Sequence, residues 1–176
     1  PRLDLARAPT VRLEGPVPER DFEVASISLA GLQKALVARG LFDAVLARCA
    51  DDTKRAMADL HATRWHPGRV VVDLSGSVID VAGPATLSDV QRDVTATSFG
   101  PIVTPLLKIG LVLGGRSPNT LLTRLDDAVK VAVRHVVVSW RAVADNSSEM
   151  VFEYPSALRR LDIVEHGWRG TLRFGE

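Results

Sequence analysis

Residues 136–154, VVVSWRAVADNSSEMVFEY, decide the fold class of this chain. Large apolar residues recur at every second position from Val136 to Ala144, and the same period resumes from Met150 to Tyr154. Between the two runs, residues 145–148 (DNSS) have the composition of a tight turn. Two alternating segments around such a turn predict an antiparallel β-hairpin.

A third strand is predicted near the end of the chain. Trp168, Gly170, Leu172 and Phe174 alternate there with polar residues, which is the period of a strand with one buried face. The predicted sheet would then bury one aromatic face against the rest of the molecule. That face comprises Trp140, Phe152, Tyr154, Trp168 and Phe174, or part of this set.

The residues before the hairpin have helical periodicity. Leu29, Leu32 and Leu36 recur at three and four residues, and Gly40 then suits a helix C-terminus. Similar patterns predict further helices at residues 42–49, from Asp51-Asp52, at Leu87–Thr97, at Pro101–Leu113 and from Ser117-Pro118.

The segment Val70–Ala82 fits two structures. Two apolar runs flank Ser75-Gly76-Ser77, as in a hairpin. Val70, Leu74 and Val78 also share one helical stripe. The pattern alone does not choose between them.

Helices followed by antiparallel strands predict an α+β fold with N-terminal helices packed on a C-terminal antiparallel β-sheet. Residues 1–20 carry four prolines and predict an extended N-terminal arm, and residues 21–176 predict a single α+β domain. Where helices meet an aromatic sheet, a mostly apolar pocket is the expected binding site. Its expected ligand-binding residues are Trp140, Phe152, Tyr154 and His135.

The composition argues against several classes of protein. Of 176 residues, 46% are hydrophobic, and the net charge of +1 argues against a nucleic-acid partner. The apolar stretch 101–113 is too short for the ~20 residues of a membrane span. A cytoplasmic location without a targeting segment is therefore expected. The single Cys49 lies on a predicted apolar helix face and predicts a buried, inert thiol.

Few residues suggest chemistry. His61 and His66 are five apart, do not share a helix face, and are expected to be surface or loop histidines, so no metal site is predicted. Ser75 lies outside any Gly-x-Ser-x-Gly context. Arg116 and Ser117 follow two glycines at a predicted helix start and form a weak candidate for anion binding.

Residues 150–156 (MVFEYPS), placed after a long helix and a strand, resemble the haem-NO-binding (H-NOX) fold group, which includes vinyl-reductase-like sensor domains. The chain also resembles a family of myxobacterial proteins of about this size through residues 65–67 (WHP), the Ser117-Pro118 helix start and the closing hairpin. This resemblance implies an H-NOX-like helical layer on a sheet, and favours a helix at residues 70–82.

In gas-sensing members of that group, a Tyr-x-Ser-x-Arg motif binds the haem propionates. Tyr154 and Ser156 match it, but Leu158 occupies the Arg position, and no His lies between Arg69 and Arg134. No haem or other cofactor is therefore expected.

The sequence thus favours a non-enzymatic sensory or regulatory module in signalling. It would bind a small apolar ligand or a protein partner in a helix–sheet pocket, and the partner could be a second copy in a homodimer. Two alternatives stay open, namely a degenerate haem-based gas sensor and an enzyme with an unrecognised active site. An enzyme is disfavoured because no pair of acid, base, nucleophile or metal ligands stands at a useful spacing.

Overall fold

A computed structural model describes residues 21–61, 64–100, 125–144, 147–153 and 161–172 of the chain. Several predictions lie outside these residues: the arm at 1–20, the helix expected at Pro101–Leu113, the first part of the helix expected from Ser117, and the strand end at Phe174.

The described part is mostly helical, with short antiparallel strands, and its class is α+β as predicted. Seven α-helices are present among the described residues: α1 (Ser26–Val37), α2 (Phe42–Arg48), α3 (Asp51–Ala58), α4 (Gly68–Ala82), α5 (Pro84–Val94), α6 (Leu125–Ala132) and α7 (Leu161–Leu172). Helix α5 continues into a five-residue π-helical turn at Thr95–Phe99.

The strands form two separate sheets. One is three-stranded, in the order β2 (Trp65–Pro67), β1 (Glu23–Ala25) and β3 (Val133–Arg134), with β1 antiparallel to both neighbours. The other is the predicted hairpin, β4 (Val137–Ala144) and β5 (Ser147–Glu153).

The hairpin prediction is confirmed in its backbone. Val138 pairs with Phe152 and Trp140 with Met150, and the register shifts between Ala142 and Ala144, next to the turn. The packing of helices on these strands, which the sequence predicts, stays a prediction. Among the described side chains, the three-stranded sheet contributes Val24 to the main core. All three of its strands lie before Val136, at positions where the sequence predicts no strand.

Among the described side chains, the main core lies between helices. Helices α4 and α5 pack against each other, and each also contacts α7. The apolar side chains that are almost completely buried there are Leu29, Leu32, Leu36, Val45, Leu74, Val78, Leu87 and Val90. The periodic leucines and valines of the N-terminal helices are therefore core residues, as their spacing predicts.

The ambiguous segment Val70–Ala82 is helical, since it forms most of α4. Val70, Leu74 and Val78, which share one stripe, are all buried. Ser75-Gly76-Ser77, the turn of the hairpin alternative, lies in the middle of the helix and is also buried. Small residues at these positions let neighbouring elements approach closely, and Cys49 Sγ lies 3.5 Å from Ser77 Oγ.

The third strand predicted around Trp168–Phe174 is wrong, because residues 161–172 form helix α7. Ile163, Val164 and Gly170 are its buried positions, at a helical rather than a two-residue spacing. Glu165 and Arg169, four apart, form an ion pair of 2.8 Å along the helix. Trp168 therefore belongs to a helix, where it packs against a second apolar cluster around Phe22 and Val164.

None of the helices within the described ranges has the length and apolar content needed to cross a membrane.

Candidate functional site

An open cleft of about 700 Å³ lies at one end of the three-stranded sheet, beside the start of helix α4. At this end β1 begins while β2 and β3 finish, because β1 is antiparallel to both. The cleft is lined by Asp21, Phe22, Glu23, Pro67, Arg69, Arg134 and His135. Five of these seven residues are acidic, basic or imidazole-bearing, so the cleft is a predominantly polar site.

The strand register brings these side chains together. Glu23 pairs with Pro67 on one side and with Arg134 on the other, and Ala25 pairs with Trp65. Because side chains alternate along a strand, these residues share one face of the sheet. Val24 and His66 belong to the opposite face, and both are buried.

Arg134 is held by an aromatic ring. Its guanidinium carbon lies 3.9 Å from the centroid of the Trp65 ring, a cation–π contact across the sheet. Residues of opposite charge that face each other on neighbouring strands attract each other and can form an ion pair. In the described residues, however, no carboxylate lies within salt-bridge distance of Arg134, although Glu23 is its direct strand partner. The stack on Trp65 therefore holds the guanidinium without neutralising it.

Arg69, in the first turn of α4, is fixed by a different partner. Its Nε donates to Oδ2 of Asp52 at 2.8 Å. This hydrogen bond holds the pKa of the Asp52 carboxyl below its usual range. Because only Nε is engaged in that bond, the remaining N–H groups of Arg69 stay available at the edge of the cleft.

His135 has a strained backbone. Its φ of 64° lies in the left-handed region, and it is the one non-glycine residue of the described chain with a positive φ. Such a conformation costs of order 1–3 kcal/mol and is concentrated at functional sites and tight turns. It ends β3 and places the imidazole Nε2 3.9 Å from Oε2 of Glu23.

The floor of the cleft is Phe22, which is only 5% exposed. A side chain at Gly68 would overlap the Phe22 ring, so the first residue of α4 must be glycine for the ring to lie there. The Gly68 N–H also donates to the Phe22 carbonyl oxygen at 2.7 Å. Phe22 and Val164 of α7 belong to the same apolar cluster, so a residue that lines the cleft also packs against α7.

His66 is not the surface or loop histidine that the sequence predicted. It lies on β2, is 4% exposed, and its Nε2 is 2.9 Å from Ser26 Oγ. Ser26 Oγ in turn donates to the Arg64 carbonyl oxygen at 3.0 Å. Because the Ser26 hydroxyl hydrogen is already donated to the Arg64 carbonyl, Nε2 of the neutral His66 ring carries a hydrogen and donates it to Ser26 Oγ. Burial, with a further contribution from Arg64, lowers the pKa of His66, so the neutral form is favoured. This buried pair joins β2 to the start of α1 and lies outside the cleft lining.

The prediction of a buried thiol is confirmed. Cys49 follows α2, is buried, and burial raises the pKa of its thiol. Within the part of the chain that the structure describes, no group of three or more His, Cys, Asp or Glu residues is placed to hold a metal ion.

The predicted ligand-binding residues have different outcomes. His135 lines the cleft. Trp140 and Phe152 lie on β4 and β5, which are described by their backbone pairing. Tyr154, and the weak anion-site candidates Arg116 and Ser117, lie outside the described residues.

Sequence reasoning missed most of the cleft. Asp21, Glu23, Arg69 and Arg134 look like ordinary surface charges along the chain, and strands of two or three residues leave almost no periodicity. One sequence feature does indicate an element boundary near the cleft. In residues 65–67 (WHP), the proline directly before Gly68 is typical of the end of a strand and the start of a helix.

Comparisons with models of protein families, with curated proteins and with solved structures found no match to this chain.

Proposed function

We propose that this protein is a non-enzymatic sensory or regulatory module that binds its ligand or partner in the helix–sheet cleft around His135. The observation that supports this most is the strained backbone of His135 at the mouth of a cleft. A residue that adopts an unfavourable φ must be compensated by its surroundings, and such strain often accompanies a binding role.

The positions of the most reactive groups also support binding rather than turnover. Ser26 and His66 are both buried and hydrogen-bonded to each other. Cys49 is buried with a raised pKa, which disfavours the thiolate that nucleophilic chemistry requires. The cleft itself presents charged and hydrogen-bonding groups that can orient a bound molecule.

The lining of the cleft favours a different class of ligand from the one that the sequence predicts. An apolar molecule was expected, yet the apolar lining here consists of Phe22 and Pro67. The cleft therefore favours a ligand or protein segment with polar groups. An apolar pocket formed by the aromatic residues Trp140, Phe152 and Tyr154 stays a prediction, as does the H-NOX-like arrangement.

Haem is not part of this proposal, because two of the described histidines, His66 and His135, already face other groups. Nε2 of His66 is already bonded to Ser26, and Nε2 of His135 faces Glu23.

A ligand screen by thermal shift tests the proposal. Palmitate, geranylgeraniol, haem, ATP and capped pentapeptides would be added to the wild-type protein. A ligand present at 100 times its Kd stabilises the folded state by ~2.7 kcal/mol. The site is then tested with His135→Gly, since glycine accepts the positive φ without strain while the imidazole is lost. His61→Ala is the matched control, because His61 is an exposed histidine outside the cleft lining.

The proposal predicts a shift in the wild type and in His61→Ala that is reduced in His135→Gly. A protein-binding module without a small ligand would instead form a homodimer, detected by sedimentation equilibrium, whose association His135→Gly weakens. Equal shifts or equal association in all three proteins would contradict the assignment of the cleft. The absence of any shift and of self-association would contradict the proposed function.

A further inference from the structure

The chemical class of the ligand can be inferred from the charged groups of the cleft, and this inference rests on the proposed function. We propose that the cleft binds a single anionic group, a carboxylate or a phosphate, between the guanidinium groups of Arg134 and Arg69.

Arg134 is stacked on a ring and is not ion-paired with its strand neighbour. Its direct neighbour across the sheet is Glu23, yet the guanidinium lies over Trp65 instead of pairing with that carboxylate. A guanidinium stacked on a ring keeps its N–H groups directed outward in its own plane. The stack therefore orients the Arg134 guanidinium before a ligand binds. Among the described residues, no carboxylate forms an ion pair with it.

Arg69 is oriented through one of its nitrogens, Nε. Asp52 takes only the Nε hydrogen of this side chain. That bond orients the guanidinium and leaves its terminal nitrogens for another acceptor. Two arginines held by partners other than a cleft carboxylate form a site in which little side-chain freedom is lost on binding. Bidentate arginine contacts of this type suit the planar oxygens of a carboxylate and the oxygens of a phosphate.

His135 and Glu23 limit what can bind. The imidazole Nε2 faces Oε2 of Glu23 at 3.9 Å, so this carboxylate is directed toward the histidine. Glu23 and Asp21 nevertheless place two negative charges on the lining. They repel an extended polyanion, so the ligand carries one anionic group rather than a chain of phosphates. This agrees with a net charge of only +1 for the whole protein.

Calorimetric titration of the full chain tests the inference with matched probes. The probes are inorganic phosphate, acetate, the capped peptide Gly-Gly-Glu-Gly-Gly and its glutamine counterpart, all at one ionic strength. Each is titrated into the wild type, Arg134→Gln and Arg92→Gln. Arg92 is the control because it lies on α5, pairs with Asp89 and Asp93, and is outside the cleft lining.

We expect the glutamate peptide or phosphate to bind the wild type and Arg92→Gln equally, and Arg134→Gln about tenfold or more weakly, because a bidentate charged contact is lost. The glutamine peptide should bind about tenfold more weakly than the glutamate peptide for the same reason. Binding of the peptide without phosphate identifies a carboxylate ligand, and the converse identifies a phosphate ligand.

The following results would overturn the inference. Measurable binding of the glutamate and glutamine peptides with equal affinity, or an unchanged affinity of the bound anionic probe in Arg134→Gln, would show that the cleft does not select an anion. If no anionic probe binds while a neutral ligand of the thermal-shift screen depends on His135, the anion inference fails and the proposed function stands. If neither anionic probes nor the screen depends on any cleft residue, both fail.

Discussion

Replacing Gly170 by Ala should break the packing of the C-terminal helix on α5. A methyl group at this position would lie 2.8 Å from the Ser88 carbonyl carbon and 2.9 Å from Cβ of Gln91. Carbon atoms in ordinary contact are ~3.5–4.0 Å apart, so the two helices would have to separate by roughly 1 Å. Overpacking of this kind costs about 1–3 kcal/mol, and a backbone obstacle places the cost at the upper end. Alanine is favoured over glycine inside a helix by about 1 kcal/mol, which offsets part of this cost. We therefore expect the free energy of unfolding to fall by about 2 kcal/mol.

Gly167, one turn earlier on the same helix, is the matched control. A methyl group there would lie 4.0 Å from Cγ of Gln91, an ordinary contact. Gly167→Ala should therefore stabilise the protein by about 0.5–1 kcal/mol through helix propensity alone. With a urea dependence of about 2 kcal/mol/M, the two variants should differ in unfolding midpoint by about 1.3–1.5 M. If Gly170→Ala matched Gly167→Ala, α7 would not pack on α5 as described, and a strand at this position would again need consideration.

Three further predictions concern the core and the buried polar groups. Leu74→Ala should lower the free energy of unfolding by about 2–5 kcal/mol in urea denaturation, because Leu74 is completely buried; a loss below about 1 kcal/mol would contradict its place in the core. Because burial lowers the pKa of His66 below its ordinary value of 6.5, the unfolded chain takes up a proton that the folded chain resists as the pH falls through 6.5. The free energy of unfolding should therefore fall between about pH 7.5 and 5.5, and it should fall less in His66→Gln. Urea midpoints at these two pH values measure both effects, and equal pH dependence of the wild type and His66→Gln would refute the assignment. Cys49 should react with iodoacetamide at neutral pH far more slowly than in urea, since its thiol is buried and its pKa is raised; rapid labelling of the folded protein would show an exposed thiol instead.

Much of the fold follows from hydrophobic spacing. Leu29, Leu32 and Leu36 share one helical face and are all buried. The hairpin was predicted from its alternation, and its strands pair at Val137–Ala144 and Ser147–Glu153. These elements are long enough for a period to be recognised without knowledge of the tertiary contacts.

The mistaken strand at Trp168–Phe174 shows where a short alternating pattern misleads. Two aromatic residues, one leucine and one glycine alternate with polar residues and fit a period of two, but the neighbouring sequence has helical signals. Asp162 suits a helix N-terminus, and Glu165 and Arg169 have the i, i+4 spacing of a helical ion pair. Tertiary packing decides between the two, because Gly170 allows α7 to approach the backbone of Ser88.

The cleft could not be predicted because tertiary pairing creates it. Glu23 and Arg134 are far apart in sequence and meet only through the register of β1 and β3. Trp65 reaches Arg134 from β2, on the other side of β1. Of the expected ligand-binding residues, His135 lies in the cleft, and the sequence argument for it was its position at the entrance to a strand.

Mapping of backbone amide shifts tests most directly whether the cleft is the binding site. The glutamate peptide or phosphate, whichever binds more tightly, would be titrated into ¹⁵N-labelled protein while the amide signals are followed by NMR. We predict that the largest shifts occur at Glu23, Arg69 and His135, and that Arg134→Gln reduces them. Largest shifts on the hairpin at Val137–Glu153, with the cleft signals unmoved, would contradict this prediction.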